Sequence, residues 1–196
     1  MYDFLRFIPN TNMDFGFKNY VVFTESENHE FYKARLIKAE SVNELISQLR
    51  RVKKTQIVGV LSDDIKVNRE AMMRRKVDVL LDSINRKLDY ATVKLAAEKD
   101  VIIELGFSKY LNVSGVKRTR LFEEDMELIR IINKFDTPFV ITSAASSVYE
   151  MRTKKQIYDF FAFLKANVKK AEECAVKLVR KYYDPNYIME GLEILE

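Results

Sequence analysis

The stretch from residue 77 to residue 105, VDVLLDSINRKLDYATVKLAAEKDVIIEL, decides the fold class. It begins and ends with continuous apolar runs, Val77–Leu81 and Val101–Leu105, which are typical of strands buried on both faces of a parallel sheet. Between the two runs, small and apolar residues recur at helical spacing on one face: Leu88, Ala91, Thr92, Leu95 and Ala96. The stretch therefore predicts a strand–helix–strand unit with two parallel strands.

Five further runs have the same strand-like character: Asp3–Ile8, Tyr20–Thr24, Ala34–Ala39, Gln56–Leu61 and Pro138–Thr142. Amphipathic stretches lie between them, and Ser41 with Glu44 three residues later predicts a helix start closed by a capping box. Strands that alternate with helices in this way predict an α/β fold, either a doubly wound sheet or a β/α barrel. No linker-like or low-complexity segment interrupts the pattern, so we expect a single domain over residues 1–196.

Composition limits the class of protein. The 196 residues carry a formal net charge of +4, which is compatible with nucleic-acid binding without demonstrating it. Cys174 is the only cysteine, so no disulfide can form within the chain, and a reducing cytoplasm is the expected location. No run of 18 apolar residues occurs, so we expect no membrane-spanning segment.

The polar residues that follow the predicted strands give little support to an enzyme. The single histidine, His29, is predicted to be a solvated loop residue, and Cys174 lies in a helical stretch as a small core residue. No glycine-rich phosphate-binding motif is present, and the serines after the last strand have no histidine to activate them. Four carboxylates near strand ends could hold magnesium, although the signal is weak: Asp63, Asp64, Asp82 and Glu104. We predict no catalytic and no metal-binding residue.

Cations are more informative, because they cluster after the predicted strands. Lysine and arginine clusters neutralise phosphates and release counterions, which is the main source of sequence-independent affinity for nucleic acids. The alternative for each cluster is a solvated helix face. Five tyrosines near these cations could stack on exposed bases or could pack at the edge of the core: Tyr90, Tyr110, Tyr149, Tyr182 and Tyr183.

Three segments resemble landmarks of a known family. They are Val77–Asp78, the segment from Arg86 to Glu98, and ITSAASSVYEMR from Ile141 to Arg152. In these segments the chain is similar to ribonuclease P protein component 3, the thirty-kilodalton protein subunit family of archaeal and eukaryotic ribonuclease P. The resemblance extends from Phe4 to about Phe163, and the closing segment only loosely resembles the proline-containing helix of the family. Members often have a histidine where this chain has Tyr90.

The resemblance implies a distorted TIM-like β/α barrel of about seven strands with helices outside, related to the polymerase and histidinol phosphatase barrels but without their metal ligands. It also implies a subunit of a ribonucleoprotein that removes the 5′ leader of precursor tRNA. The catalytic RNA would hold the magnesium and cleave the phosphodiester, so the protein would need no cofactor. Its partners would be ribonuclease P RNA, precursor tRNA and other protein subunits. With one of these subunits the chain would form a heterodimer or heterotetramer.

Matching segments and charge together predict an RNA-binding set that consists of Arg86, Lys87, Arg152, Lys66, Arg69, Lys94 and Ser143. For Arg86 and Arg152 a structural ion pair with Asp78, Asp82 or Glu150 is the alternative. Two rival functions stay open: a metal-dependent phosphoesterase of the related barrel family, and a barrel that serves only protein–protein assembly.

Overall fold

The computed structural model describes residues 2–9, 14–24, 30–53, 55–189 and 192–193. Seven parallel strands form one sheet in which every strand pairs with its neighbour in the chain. In order they are β1 (Tyr2–Leu5), β2 (Asn19–Thr24), β3 (Tyr32–Lys38), β4 (Ile57–Leu61), β5 (Val79–Leu80), β6 (Ile102–Gly106) and β7 (Phe139–Thr142). Each overlaps a predicted run, which confirms the strand assignments, although several ends are shifted and β5 is shorter than predicted.

The sheet curls into a nearly closed barrel. Leu5 and Ala145 form a parallel bridge between the first and last strands, and the backbone N–H of Arg6 donates to the carbonyl of Ala145 at 2.8 Å. A doubly wound sheet reverses its strand order at a switch point, whereas this sheet keeps the chain order throughout. The prediction of a TIM-like α/β barrel is therefore confirmed. That residues 1–196 form one domain stays a prediction.

In the described part of the chain, seven helices accompany the strands. They are α1 (Val42–Arg51), α2 (Ile65–Met72), α3 (Tyr90–Lys99), α4 (Ser108–Leu111), α5 (Gly115–Phe135), α6 (Lys154–Phe163) and α7 (Val168–Tyr183). A 3-10 turn covers Val148–Glu150, and a short antiparallel pair, β8 (Tyr187–Met189) and β9 (Leu192–Glu193), follows α7. The described residues of the closing segment, which only loosely resembles the closing helix of the family, thus include two short strands. The described residues between β1 and β2, and between β2 and β3, contain no helix.

Alternating residues of the strands pack into different cores. Val58 and Leu80 pack under the outer helices, whereas Ile57 and Val79 face the barrel interior. The helix α7 departs from the outer ring, because its Leu178 packs onto the interior cluster. This helix closes the amino-terminal end of the barrel, while the carboxyl ends of the strands remain accessible.

Ser41 is the N-cap of α1, as the sequence predicted. The Ser41 side chain accepts a hydrogen bond from the backbone N–H of Glu44. The Glu44 carboxylate reaches back to the backbone N–H of Glu40, one residue before the cap, rather than to that of Ser41. The cap therefore forms, but with a shifted second hydrogen bond.

Candidate nucleic-acid interface

The carboxyl ends of the strands surround a cavity of about 180 Å³, which is the place where barrels of this kind hold their functional groups. Two buried carboxylates lie there. Asp82, which follows β5, accepts from the Lys109 ammonium and from the backbone N–H of Gly106, both at 2.8 Å. Glu104 in β6 pairs with the Arg6 guanidinium and accepts from the Thr142 hydroxyl at 2.7 Å. Both carboxylates thus contact cations of the chain itself, although the Oδ1 atom of Asp82 accepts no hydrogen bond and only lies near the Arg86 guanidinium.

Lys109 connects this cavity to an outer helix. Its ammonium lies 2.7 Å from a carboxylate oxygen of Asp125, a buried residue of α5, and the Tyr110 hydroxyl donates to the same carboxylate. Burial acts to raise the pKa of Asp82, but the Arg86 and Lys109 charges outweigh it and lower that pKa. Burial, and then the negative charge of Asp125, raise the pKa of Tyr110. Among the described residues, these three carboxylates are therefore matched by three cations, Arg6, Arg86 and Lys109.

The predicted site residues separate into two groups. Two of them are buried in structural contacts. The Arg86 side chain is 3% exposed, lies 3.1 Å from Asp82, and donates to the Glu104 carbonyl at 2.5 Å. Ser143 is fully buried, and its backbone N–H and hydroxyl both donate to Asp3 at 2.6 Å. Arg86 therefore forms an ion pair with Asp82, which the sequence analysis gave as the alternative to RNA binding. Ser143 links the end of β7 to β1.

The other five predicted residues lie at the surface. Lys66 in α2 and Lys87 after β5 are exposed, and the Asn68 side chain joins the segments after β4 and β5 by donating to the carbonyls of Ser62 and Lys87. Arg69 pairs with Asp89, the N-cap of α3. Lys94 lies on an exposed face of α3, and its ammonium is 3.7 Å from the Glu98 carboxylate. Arg152 donates to the backbone carbonyls of Tyr149 and Met151.

The carboxylates that the sequence offered only as a weak magnesium signal also have contacts within the protein. Asp64 caps α2, where the backbone N–H groups of Val67 and Lys66 lower its pKa, and Asp63 accepts from the Ser83 hydroxyl. Within the described ranges, no group of three or more histidine, cysteine, aspartate or glutamate residues could hold a metal ion. His29 lies outside the described residues. Burial raises the pKa of the Cys174 thiol, as expected for a residue packed against the core. No helix in the described part of the chain is long and apolar enough to cross a membrane.

A family model described as RNase P subunit p30 matches residues 10–184. The chain belongs to this family. A "Ribonuclease P protein component 3" from Archaeoglobus fulgidus is 51% identical over 194 residues, which covers 99% of this chain and 96% of the relative. The protein of the same name from Methanocaldococcus jannaschii is 31% identical over 185 residues, with 88% and 78% covered. These matches confirm the resemblance read from the sequence.

The fold of this p30 family member is also found in a solved structure. A chain of an archaeal ribonuclease P with mature tRNA, determined by cryo-EM, superimposes with a TM-score of 0.82 at 22% identity. The superposition covers 100% of this chain and 98% of that chain. This likeness supports the barrel architecture independently of the sequence matches.

The Asp3 contact that fastens the barrel should make its stability depend on pH. Burial raises the pKa of Asp3 to about 7, despite three hydrogen bonds donated by Ser143 and Phe4. Because the folded state holds this proton more tightly than the unfolded state, Asp3 lowers stability as pH rises from about 4 to about 7. Asp3→Asn should remove that loss. The free energy of unfolding of the variant should therefore rise relative to that of the parent as the pH increases to about 7. Urea unfolding at pH 5, 6, 7 and 8 measures this difference. A difference between the two proteins that is the same at all four pH values would contradict the prediction.

Proposed function

We propose that this chain is a protein subunit of ribonuclease P that binds RNA phosphates at the rim around the carboxyl ends of its strands. We define the carboxyl rim by exposed lysines that have no ion-pair partner among the described residues: Lys66, Lys87 and Lys117. Arg152 and Lys155 extend it at the start of α6. The catalytic RNA would cleave the 5′ leader from precursor tRNA and hold the magnesium, and the protein would support its fold and substrate binding without a cofactor.

The observation that carries this proposal is the position of the cations relative to the helix dipoles. An acidic residue in the first turn stabilises a helix and a basic one opposes it. None of α2, α3, α5 and α6 has an acidic residue in its first turn, and α2, α5 and α6 have lysines near their first residues instead. Carboxylates occur there only as the N-caps Asp64 and Asp89. Helix stability does not account for these lysines, whereas phosphate binding does.

The opposite end of the barrel provides the comparison. Arg50 and Arg51 lie in the last turn of α1, and Arg75 lies beyond the last residue of α2, all exposed. Basic residues near a helix C-terminus interact favourably with the dipole, so their presence at this end needs no ligand. At this end the helix dipole accounts for Arg50 and Arg51, and Lys170 in the first turn of α7 is paired with Asp136.

The test removes three positive charges from each end. We expect Lys66→Ala, Lys87→Ala and Lys117→Ala together to weaken binding to ribonuclease P RNA and to flatten its salt dependence by about one unit of slope per lost phosphate contact. The matched variant Arg50→Ala, Arg51→Ala and Arg75→Ala should leave the slope unchanged. Binding is measured by filter retention between 50 and 400 mM salt, with thermal unfolding of both variants alongside.

Either of two outcomes would contradict the proposal. Equal loss of slope in both variants would mean that binding follows net charge alone. An absence of any salt-sensitive RNA affinity in the parent protein would favour the rival in which the barrel serves only protein–protein assembly. We further propose a cytoplasmic ribonucleoprotein in which this chain pairs with one other protein subunit as a heterodimer or heterotetramer.

A further inference from the structure

Tyr149 differs from the other tyrosines that lie near cations. Tyr110 is buried, and the hydroxyls of Tyr182 and Tyr183 donate to Asp78 and to the Lys33 carbonyl. Tyr90 packs edge-on against Phe135 with a 4.7 Å separation of ring centroids. Tyr149 is 90% exposed, and among the described residues its ring has no aromatic or cationic partner.

A single exposed apolar residue is ordinary on a protein surface and proves nothing by itself. The backbone that carries Tyr149, however, is fixed on both sides. The Glu150 carboxylate accepts from the Asn112 side chain at 2.9 Å and from the backbone N–H of Ser146 at 2.7 Å. The Arg152 guanidinium donates to the Tyr149 carbonyl at 2.8 Å, and Met151 is buried. The turn therefore presents the ring from a rigid support, which lowers the entropic cost of binding something against it.

The charges beside the ring indicate what it binds. Arg152 and Lys155 lie on the α6 side of the turn. On the other side, the hydrogen bond from Asn112 brings the segment between α4 and α5 next to the turn, and Lys117 and Arg118 follow in the first turn of α5. The acidic neighbour Glu150 is already occupied by two donors. An aromatic ring flanked by cations fits a nucleotide whose base is unpaired, because the ring stacks on the base while the cations contact the adjacent phosphates.

We propose that Tyr149 is a base-stacking residue that binds an unpaired nucleotide of RNA at the carboxyl rim. This inference rests on the proposed RNA-binding function and specifies the kind of RNA element that the site accepts. Duplex RNA keeps its bases inside the helix, so the ring would have no free base to contact there. The site should therefore prefer a single-stranded segment over a duplex of the same sequence.

The chain contains no tryptophan, which makes the test direct. Tyr149→Trp introduces one fluorophore at the proposed site, and Tyr90→Trp introduces one at a control position that is 46% exposed and packed against Phe135. A saturating single-stranded 12-mer should quench the first variant and leave the second unchanged, and the matching duplex should quench neither. Unchanged emission from Tyr149→Trp with the single strand would overturn the proposal. Quenching that requires a partner protein instead of RNA would also overturn it.

Binding measurements separate this inference from the proposed function. We expect Tyr149→Ala to weaken binding of the single strand about tenfold without changing the salt slope, because no charge is removed, and Tyr149→Phe to restore it. If Tyr149→Ala binds normally while the triple lysine variant of the carboxyl rim binds poorly, the stacking proposal fails and the function stands. If the parent protein shows no salt-sensitive affinity for RNA, the proposed function fails.

Discussion

Lys109→Met should lower the free energy of unfolding by about 3–5 kcal/mol, which is the usual cost of leaving a buried carboxylate without its cation. Lys109 is 6% exposed and pairs with both Asp82 and Asp125. Methionine keeps most of the volume of the lysine side chain, so the loss should report the missing charge rather than a cavity. Because folded domains have only about 5–15 kcal/mol of stability, the effect should be obvious in urea unfolding at pH 8.

The pH dependence of this loss identifies its cause. With Lys109 removed, the buried carboxylates should hold protons more tightly in the folded state than in the unfolded state. The deficit relative to the parent protein should therefore be largest at pH 8 and should shrink towards pH 5. A deficit that is the same at both values would point to lost packing instead of unpaired charge.

Two further variants complete the measurement. Asp125→Asn removes one of the carboxylates, so Lys109→Met with Asp125→Asn should be more stable than the sum of the single changes predicts. Lys155→Ala is the surface control, because Lys155 pairs with Asp159 while 87% exposed, and the unfolding midpoint should barely change. A loss of similar size in Lys155→Ala would mean that burial is not what makes the Lys109 contacts important.

The strands could be predicted from the sequence because each is a continuous apolar run, and a parallel sheet covered on both faces requires such runs. The family resemblance then selected the barrel over the doubly wound sheet. A complete capping box was missed: the Thr153 side chain accepts from the backbone N–H of Gln156, and the Gln156 side chain accepts from the backbone N–H of Thr153. Threonine followed three residues later by glutamine is a known signal for it.

The site was harder to predict, because contacts between distant residues decide which polar side chains reach solvent. The Lys109–Asp82 contact joins residues 27 apart in the chain, and the Ser143–Asp3 contact joins residues 140 apart. Arg86 and Lys87 are adjacent in sequence, yet the Arg86 side chain is buried in an ion pair with Asp82 and the Lys87 side chain is exposed. Charge clustering could therefore not separate the cations that stay exposed from the cations that are buried in the barrel mouth.

Purified protein alone should not cleave precursor tRNA. A phosphoesterase of the related barrel family would need carboxylates that are free to bind metal ions at the strand ends. Here Asp82 is held by Arg86 and Lys109, and Glu104 is held by Arg6. A magnesium ion would have to displace buried cations from both carboxylates. We therefore expect calorimetric titration with Mg²⁺ or Mn²⁺ to show no tight stoichiometric site, and cleavage to appear only when the catalytic RNA is added.

The positive control is the same protein preparation reconstituted with ribonuclease P RNA and the partner protein subunits, which should remove the 5′ leader and lose that activity on nuclease treatment. Cleavage by the isolated chain that needs Mg²⁺ or Mn²⁺ and survives nuclease treatment would contradict the prediction. It would support the rival function of a metal-dependent phosphoesterase. Lys109→Met is informative here as well, because it frees Asp82 from one of its two cations. If the buried pairs are what prevent metal binding, this variant should bind Mn²⁺ more tightly than the parent protein at pH 8, where its carboxylates are ionised.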